Sequence, residues 1–370
     1  MTQLPIPHRP STGQPSDSFD ASAEVTGGVD THRDTHTAAA LDRQGRLLGH
    51  HQFPATAAGY TALLGWLRTH GNLVLVGVEG TGSYGAELAF ALHQAGVAVV
   101  EVDRPDRAAR RRDGKSDPLD AEAAARAAQS GRADGLPKQR GGPVQALAAL
   151  RVARRSAVDQ RADAQRQIKS LIVTAPEPLR AQLRPLSDTE LIHHCATRRP
   201  DPARAGDPHT ATVLALRSLA RRHQQLSTEI NQLDKLITPL VSQINPTLYA
   251  ISGLGPDTAG QLLVTAGNNP ERLRSEAAFA MLCGAAPLPA SSGRTDRHRL
   301  NRGGDRQANA ALYRIVLTRL RHDPRTRAYA ERRTEDGLNK KEIIRCLKRY
   351  VAREVYTALT HTRNDLEQAT

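Results

Sequence analysis

Hydrophobic and polar positions change their spacing several times along the chain, and each spacing predicts a different element. From residue 25 to 53 the apolar stretches are short and broken by tight connections. Val25–Asp30 is apolar and ends in an acid, and Thr35–Leu41 begins β-branched and becomes alanine-rich. Asp42-Arg43-Gln44-Gly45 then turns the chain into Arg46–Phe53. Two such connections in succession predict an antiparallel meander of three strands. At Thr56 the period becomes helical, with Tyr60, Leu63, Leu64 and Leu67 on one face as far as His70. Asn72–Val78 is a continuous apolar run, as expected of a strand buried in a sheet. Ser83–Ala95 reads as a helix, Val97–Val102 as another buried strand, and Pro118–Ser130 as an alanine-rich helix.

The resulting order, β-β-β-α-β-α-β-α, is that of an RNase H-like α/β domain, placed at residues 24–131. A Pro/Ser/Thr-rich stretch, 1–23, precedes it and reads as a disordered lead-in without the apolar core of a signal peptide or anchor. Gly131–Pro143 reads as a linker, and a helical region follows at 143–245. There Leu216, Leu219, His223, Leu226, Ile230, Leu233, Ile237 and Leu240 recur at spacings of three and four, an a/d seam. A weaker seam runs through Leu147, Leu150, Ala157, Ala164, Ile168 and Leu171. The proline-rich stretch between them predicts a bend or irregular insertion. The two helices can pair with each other or with a second chain; we expect a homo-oligomer held by Leu226, Ile230, Leu233 and Ile237. Residues 246–370 form a last, mostly helical domain. It opens on Ile251-Ser-Gly-Leu-Gly-Pro256, similar to a helix-hairpin-helix turn whose glycines let backbone N–H groups approach a phosphate.

Composition narrows the function. The net charge is +13, yet residues 1–100 hold 5 basic and 8 acidic residues, so the excess lies in the rest of the chain. Residues 291–370 alone hold 19 basic against 10 acidic. Of the 51 basic residues 44 are arginine, whose forked guanidinium suits phosphate backbones. Aromatic residues make up only 3%, against recognition built mainly on base stacking. No apolar run approaches the roughly 20 residues of a membrane helix. Three widely spaced cysteines, Cys195, Cys283 and Cys346, exclude a zinc ribbon or a disulfide framework and suit the cytoplasm.

Four acids stand out by position. Asp30 ends the first strand, Glu79 ends the buried strand, and Asp117 and Asp120 open the helix after the last strand. Singly, each has an ordinary role: Asp117-Pro118-Leu119-Asp120 is a good helix start with Asp117 as N-cap. Strand ends of an open α/β sheet share one crevice, however, and residues three apart share a helix face. Four converging carboxylates repel unless cations neutralise them, and hard divalent ions with oxygen ligands do so at phosphodiester-exchange sites. A competing pattern is Gly80-Thr-Gly82-Ser-Tyr-Gly85 with Glu101 about 20 residues on, the spacing of an NAD-binding dehydrogenase. The preceding meander, the charge and the lack of a substrate domain oppose it. Further on, Ser291-Ser292-Gly293 lies among Arg294, Arg297, His298, Arg299, Arg302 and Arg306. Hydroxyls there can donate to phosphate, or attack it while the cations offset developing charge.

The segments GVDTHRDTHTAA, VEGTGSYG, GKSDPLDAEAAARA, ISGLGP and APLPASSGRTDRHRLNRGGDRQAN together resemble the DEDD transposases of the insertion sequence 110 family, relatives of the pilin-gene invertases. The resemblance covers about residues 24–360. It implies a RuvC-like domain in which Asp30, Glu79, Asp117 and Asp120 hold Mg²⁺ or Mn²⁺, a coiled-coil insertion, and a serine-bearing C-terminal transposase domain. It implies Ser292, directly before glycine, as the nucleophile of a covalent phosphoserine step, with Ser291 adjacent. It also implies recombination guided by a structured RNA from the element's own end, which pairs with target and donor DNA. We therefore expect a bacterial, nucleoid-associated recombinase of double-stranded DNA, its coiled coil joining protomers into a dimer or tetramer. The alternatives are a RuvC-like nuclease using metal-activated water, the dehydrogenase, and a non-catalytic nucleic-acid-binding protein.

Overall fold

The structure is a computed structural model that describes residues 23–102, 116–139, 141–290 and 298–367. The expected lead-in lies outside the described residues except for Ala23, and so do Ser291 and Ser292. The chain divides into two compact units, Met1–Lys138 and Gln139–Thr370.

The first unit is a five-stranded sheet with helices on both faces. Its elements are β1 (Glu24–Thr31), β2 (Thr35–Leu41), β3 (Leu47–Pro54), α1 (Ala57–Arg68), β4 (Asn72–Glu79), α2 (Ala86–Gln94), β5 (Val99–Val102) and α3 (Asp117–Gln129). The strand order is β3-β2-β1-β4-β5. The meander β1-β2-β3 is antiparallel; β4 then joins β1, and β5 joins β4, in parallel. Thr56 caps α1 by accepting from the Gly59 N–H at 3.2 Å. Gly27 looks onto Leu67 of α1, and Gly28 onto Ala121 and Ala125 of α3, so successive β1 residues face opposite helical layers. Leu63, Leu67, Val76, Val78, Leu88 and Leu92 fill the core on the α1 side. The helix expected from Ser83 starts at Ala86. Gly80, at φ +72°, begins a turn in which the Ser83 and Gly85 N–H groups both donate to the Gly80 carbonyl, and this delays the helix.

The second unit is helical. Two long helices, α4 (Gly142–Val173) and α7 (Pro208–Ile244), pack as an antiparallel pair. Leu226 and Ile230 of α7 bury against Ala157 of α4, and Ile237 and Val241 lie with Leu147. The seam expected to join protomers is therefore occupied by the chain's own helix, which corrects that expectation. The stretch between the two helices is also not irregular. It forms α5 (Glu177–Leu183), α6 (Asp188–Thr197) and a 3₁₀ turn at Pro202–Arg204. Pro178, Pro202 and Pro208 fall in first helical turns, where no N–H is needed, so they start helices rather than break them. Leu179, Leu183, Leu191 and Ile192 then close a small core over Ile168 and Leu216.

The remaining elements are α8 (Pro246–Tyr249), α9 (Pro256–Ala266), α10 (Glu276–Leu282), a ribbon of β6 (Leu288–Pro289) and β7 (His298–Arg299), α11 (Arg306–His322), α12 (Pro324–Glu335) and α13 (Lys340–Glu367). The glycine turn between α8 and α9 packs on α11, where the Arg319 Nε donates to the Ser252 carbonyl at 2.9 Å. Asp257, in the first turn of α9, meets Arg151 at 2.8 Å, Arg314 at 2.8 Å and Arg154 at 3.2 Å. Burial alone would raise its pKa, but the three guanidinium groups outweigh burial and hold it below the usual aspartate value.

Candidate metal centre

Two parallel strand ends and one helix start build the site. Gly28 is in register with Gly77 and Val29 with Val78, so Asp30 and Glu79 come next on adjacent strands. With a strand period of two, both share the sheet face of Gly28 and Gly77. That face is covered by α3. A Cβ at Gly28 would stand 2.1 Å from the Ala125 nitrogen, and one at Gly77 would stand 2.6 Å from the Ala124 carbonyl oxygen. The two glycines thus let helix backbone lie directly on the strands, with Ala121, Ala124, Ala125 and Ala128 as its buried face. The first turn of α3 then reaches the strand ends, carrying Asp117 and Asp120.

His32 links the two sides. Its Nε2 lies 3.2 Å from an Asp30 carboxylate oxygen and 3.2 Å from one of Asp117. Ligand atoms of Asp30, His32 and Asp117 all fall within 4.8 Å of one another. The Thr31 hydroxyl donates to the Glu79 carbonyl at 2.8 Å and ties the strand ends together. Asp30 and Asp120 are buried, whereas the side chains of His32 and Asp117 are 41% and 39% exposed, so the site opens to solvent on one side. The structure therefore brings Asp30 and Asp117 together around His32, sets Glu79 next in register to Asp30, and buries Asp120 in the first turn of α3. Asp117 is not the N-cap: Ser116 holds that position and Asp117 is the first helical residue, its carboxylate turned to His32.

This donor set fits a divalent ion. Carboxylate oxygens suit Mg²⁺ or Mn²⁺, and an imidazole nitrogen beside them favours transition metals over Mg²⁺. His32 is the residue that the reading of acids alone missed. The signal was present: it stands two residues after Asp30, just past the end of β1 at Thr31, within reach of the strand-end acid.

The dinucleotide pattern has a different explanation here. Thr81, inside the glycine loop, donates to a Glu101 carboxylate oxygen at 2.5 Å, and the Glu101 N–H donates to the Gly135 carbonyl at 2.7 Å. The acid that would meet a ribose instead closes its own loop. Ser291 and Ser292 lie outside the described residues; the flanking Leu288 and Arg299 pair across the β6–β7 ribbon.

Similarity to known proteins agrees with this layout. A family model described as a transposase, of the DEDD insertion sequence 110 type, matches residues 27–175. A second, described as transposase IS116/IS110/IS902 family, matches residues 245–331. The chain is 28% identical over 147 residues to an uncharacterized 42 kDa protein of insertion element IS900 from Mycobacterium paratuberculosis, covering 39% of this chain and 36% of the relative. It is 32% identical over 122 residues to an uncharacterized 43.6 kDa protein of insertion element IS110 from Streptomyces coelicolor, covering 32% of this chain and 29% of the relative. Each match thus spans about a third of the relative's length. Among the described residues no helix is long and apolar enough to cross a membrane.

Proposed function

The chain belongs to the insertion sequence 110 family of transposases, and we propose on that basis that it is a DNA recombinase of a bacterial insertion sequence. The convergence of Asp30, His32 and Asp117 at the strand ends carries this reading. The first unit is RuvC-like, with Asp30, Glu79, Asp117 and Asp120 as metal ligands and His32 as a further donor. A bound Mg²⁺ or Mn²⁺ supplies charge neutralisation for phosphoryl transfer. The buried Asp30 and Asp120 hold the inner wall of the site, and the half-exposed Asp117 and His32 face the substrate. The second unit grips nucleic acid and carries the nucleophile. The Ser292 oxygen attacks the scissile phosphate, forming a phosphoserine ester as the bond to a deoxyribose oxygen breaks; that oxygen leaves as a hydroxyl. Donor and target duplex DNA, a structured guide RNA and a homodimer or tetramer complete the system, in the cytoplasm at the nucleoid. The buried α4–α7 seam leaves assembly to other surfaces.

The test is a covalent-adduct assay with labelled DNA. Ser292→Ala is expected to abolish the protein–DNA adduct and strand exchange while DNA binding persists. Ser291→Ala serves as the neighbour control. Loss with Ser291→Ala alone would move the nucleophile by one residue. If neither serine matters but Asp30→Asn abolishes cutting, the enzyme is a nuclease using metal-activated water.

A further inference from the structure

The second unit contains a cavity of about 1120 Å³ between the β6–β7 ribbon and helices α12 and α13. Among the described residues that line it, seven are lysine or arginine and one, Glu342, is acidic. Some of this charge is answered locally: Glu276 pairs with Arg349 and Arg353, and Asp336 with Arg333. Among the described residues, Arg299, Arg332, Arg345 and Lys348 remain as the cationic lining, with Glu342 3.9 Å from Arg345. Arg332 stacks over the Tyr329 ring at 5.6 Å.

Lys348 is the most telling of these. It is 7% exposed, and its ammonium donates to the neutral Asn309 Oδ1 at 2.9 Å. Asn309 is itself fixed, since its amide donates to the Cys283 and Gly284 carbonyls at 2.9 Å each. Burial, and then the charge of Arg345, lower the Lys348 pKa. A buried ammonium held by a neutral amide is costly unless an anion completes the site.

We infer that this cavity binds consecutive backbone phosphates of a single-stranded nucleic-acid segment, with Lys348, Arg345 and Arg332 as the phosphate contacts. A polyanion matches several cations along one wall better than a single small anion does. The exposed Tyr350, edge-to-face with Tyr329, is an aromatic side chain within reach of an unpaired base. The inference rests on the proposed recombinase activity for its biological meaning, because the walls Gly284–Pro287 and His298–Asn301 flank the segment that carries Ser292.

The experiment is fluorescence anisotropy with short single-stranded DNA and RNA of one sequence, across a salt series, on the full chain. Each phosphate contact to a single strand contributes about 0.7 to the slope of log affinity against log salt. Arg332→Ala combined with Arg345→Ala should therefore reduce the slope by about 1.4 for at least one of the two strands. Which strand responds identifies the sugar that the site accepts. Lys348→Met, which keeps the buried stem, should weaken binding at low salt and lower the slope again. An unchanged slope for both strands in a double variant with native circular dichroism overturns the inference. If the parent forms no DNA adduct while the slope still falls in the double variant, the recombinase reading fails and the cavity remains a nucleic-acid site.

Discussion

Gly28 and Gly77 matter at the residue scale as much as the acids do. The place that each side chain would take is filled by α3 backbone, and backbone cannot rotate away as a side-chain end can. Gly28→Ala must therefore lift the helix that delivers Asp117. We expect a loss of about 1–3 kcal/mol or more, the usual cost of overpacking, read as a lower thermal midpoint. His32 makes a different prediction. An imidazole nitrogen contributes more to a transition metal than to Mg²⁺. His32→Ala should weaken Mn²⁺ binding, measured by titration calorimetry, by about tenfold or more, and Mg²⁺ binding by less. Equal losses for the two ions would mean that His32 positions the carboxylates without ligating.

At the scale of elements, the α4–α7 pair shows how one apolar stripe can satisfy itself. Ile237 is fully buried between the two helices and the C-terminal core. Ile237→Ala should cost about 2–5 kcal/mol without changing the molecular mass seen by light scattering. A change of mass with unaltered stability would restore the seam as an interface between protomers. Asp257 ties α9 to α4 and α11 through three arginines. Its pKa is depressed in the folded state, so its stabilising effect is complete above the unfolded value of 3.8 and is lost as pH falls through the lower folded value. Asp257→Asn should therefore lower the melting temperature at neutral pH, and the gap to the parent should close as pH falls below about 3.8.

Over the whole molecule, charge is divided by position. The first 100 residues carry a net −3 and the remainder +16, so Asp30 and Glu79 stand in the acidic stretch, while Asp117 and Asp120 come from the stretch that holds the basic excess. Neutralising even six phosphates should make affinity for duplex DNA fall by about 10³ between 50 and 200 mM salt. A flat response in a binding assay would mean that the basic surface does not touch the backbone. Asp30 belongs to one compact unit and Ser292 to the other. If the two act from different protomers, mixing Asp30→Ala with Ser292→Ala chains should restore part of the adduct signal. No recovery in confirmed mixed oligomers would place both residues in one protomer's site.

Much of the first unit was legible in the sequence because burial leaves a pattern: a continuous apolar run for β4, and a period of 3.6 for the Leu63–Leu67 face of α1. The positions of Asp30, Glu79, Asp117 and Asp120 at strand ends and a helix start could be read in the same way. The role of His32 was decided by tertiary structure, since its two carboxylate partners, Asp30 and Asp117, stand 87 positions apart and meet only when α3 lies on Gly28 and Gly77. Tertiary structure also decided the partner of the α7 seam. Periodicity specifies that an apolar stripe must be covered but not by which helix, and here the proline-led helices between residues 174 and 207 turn the chain back so that α4 covers it.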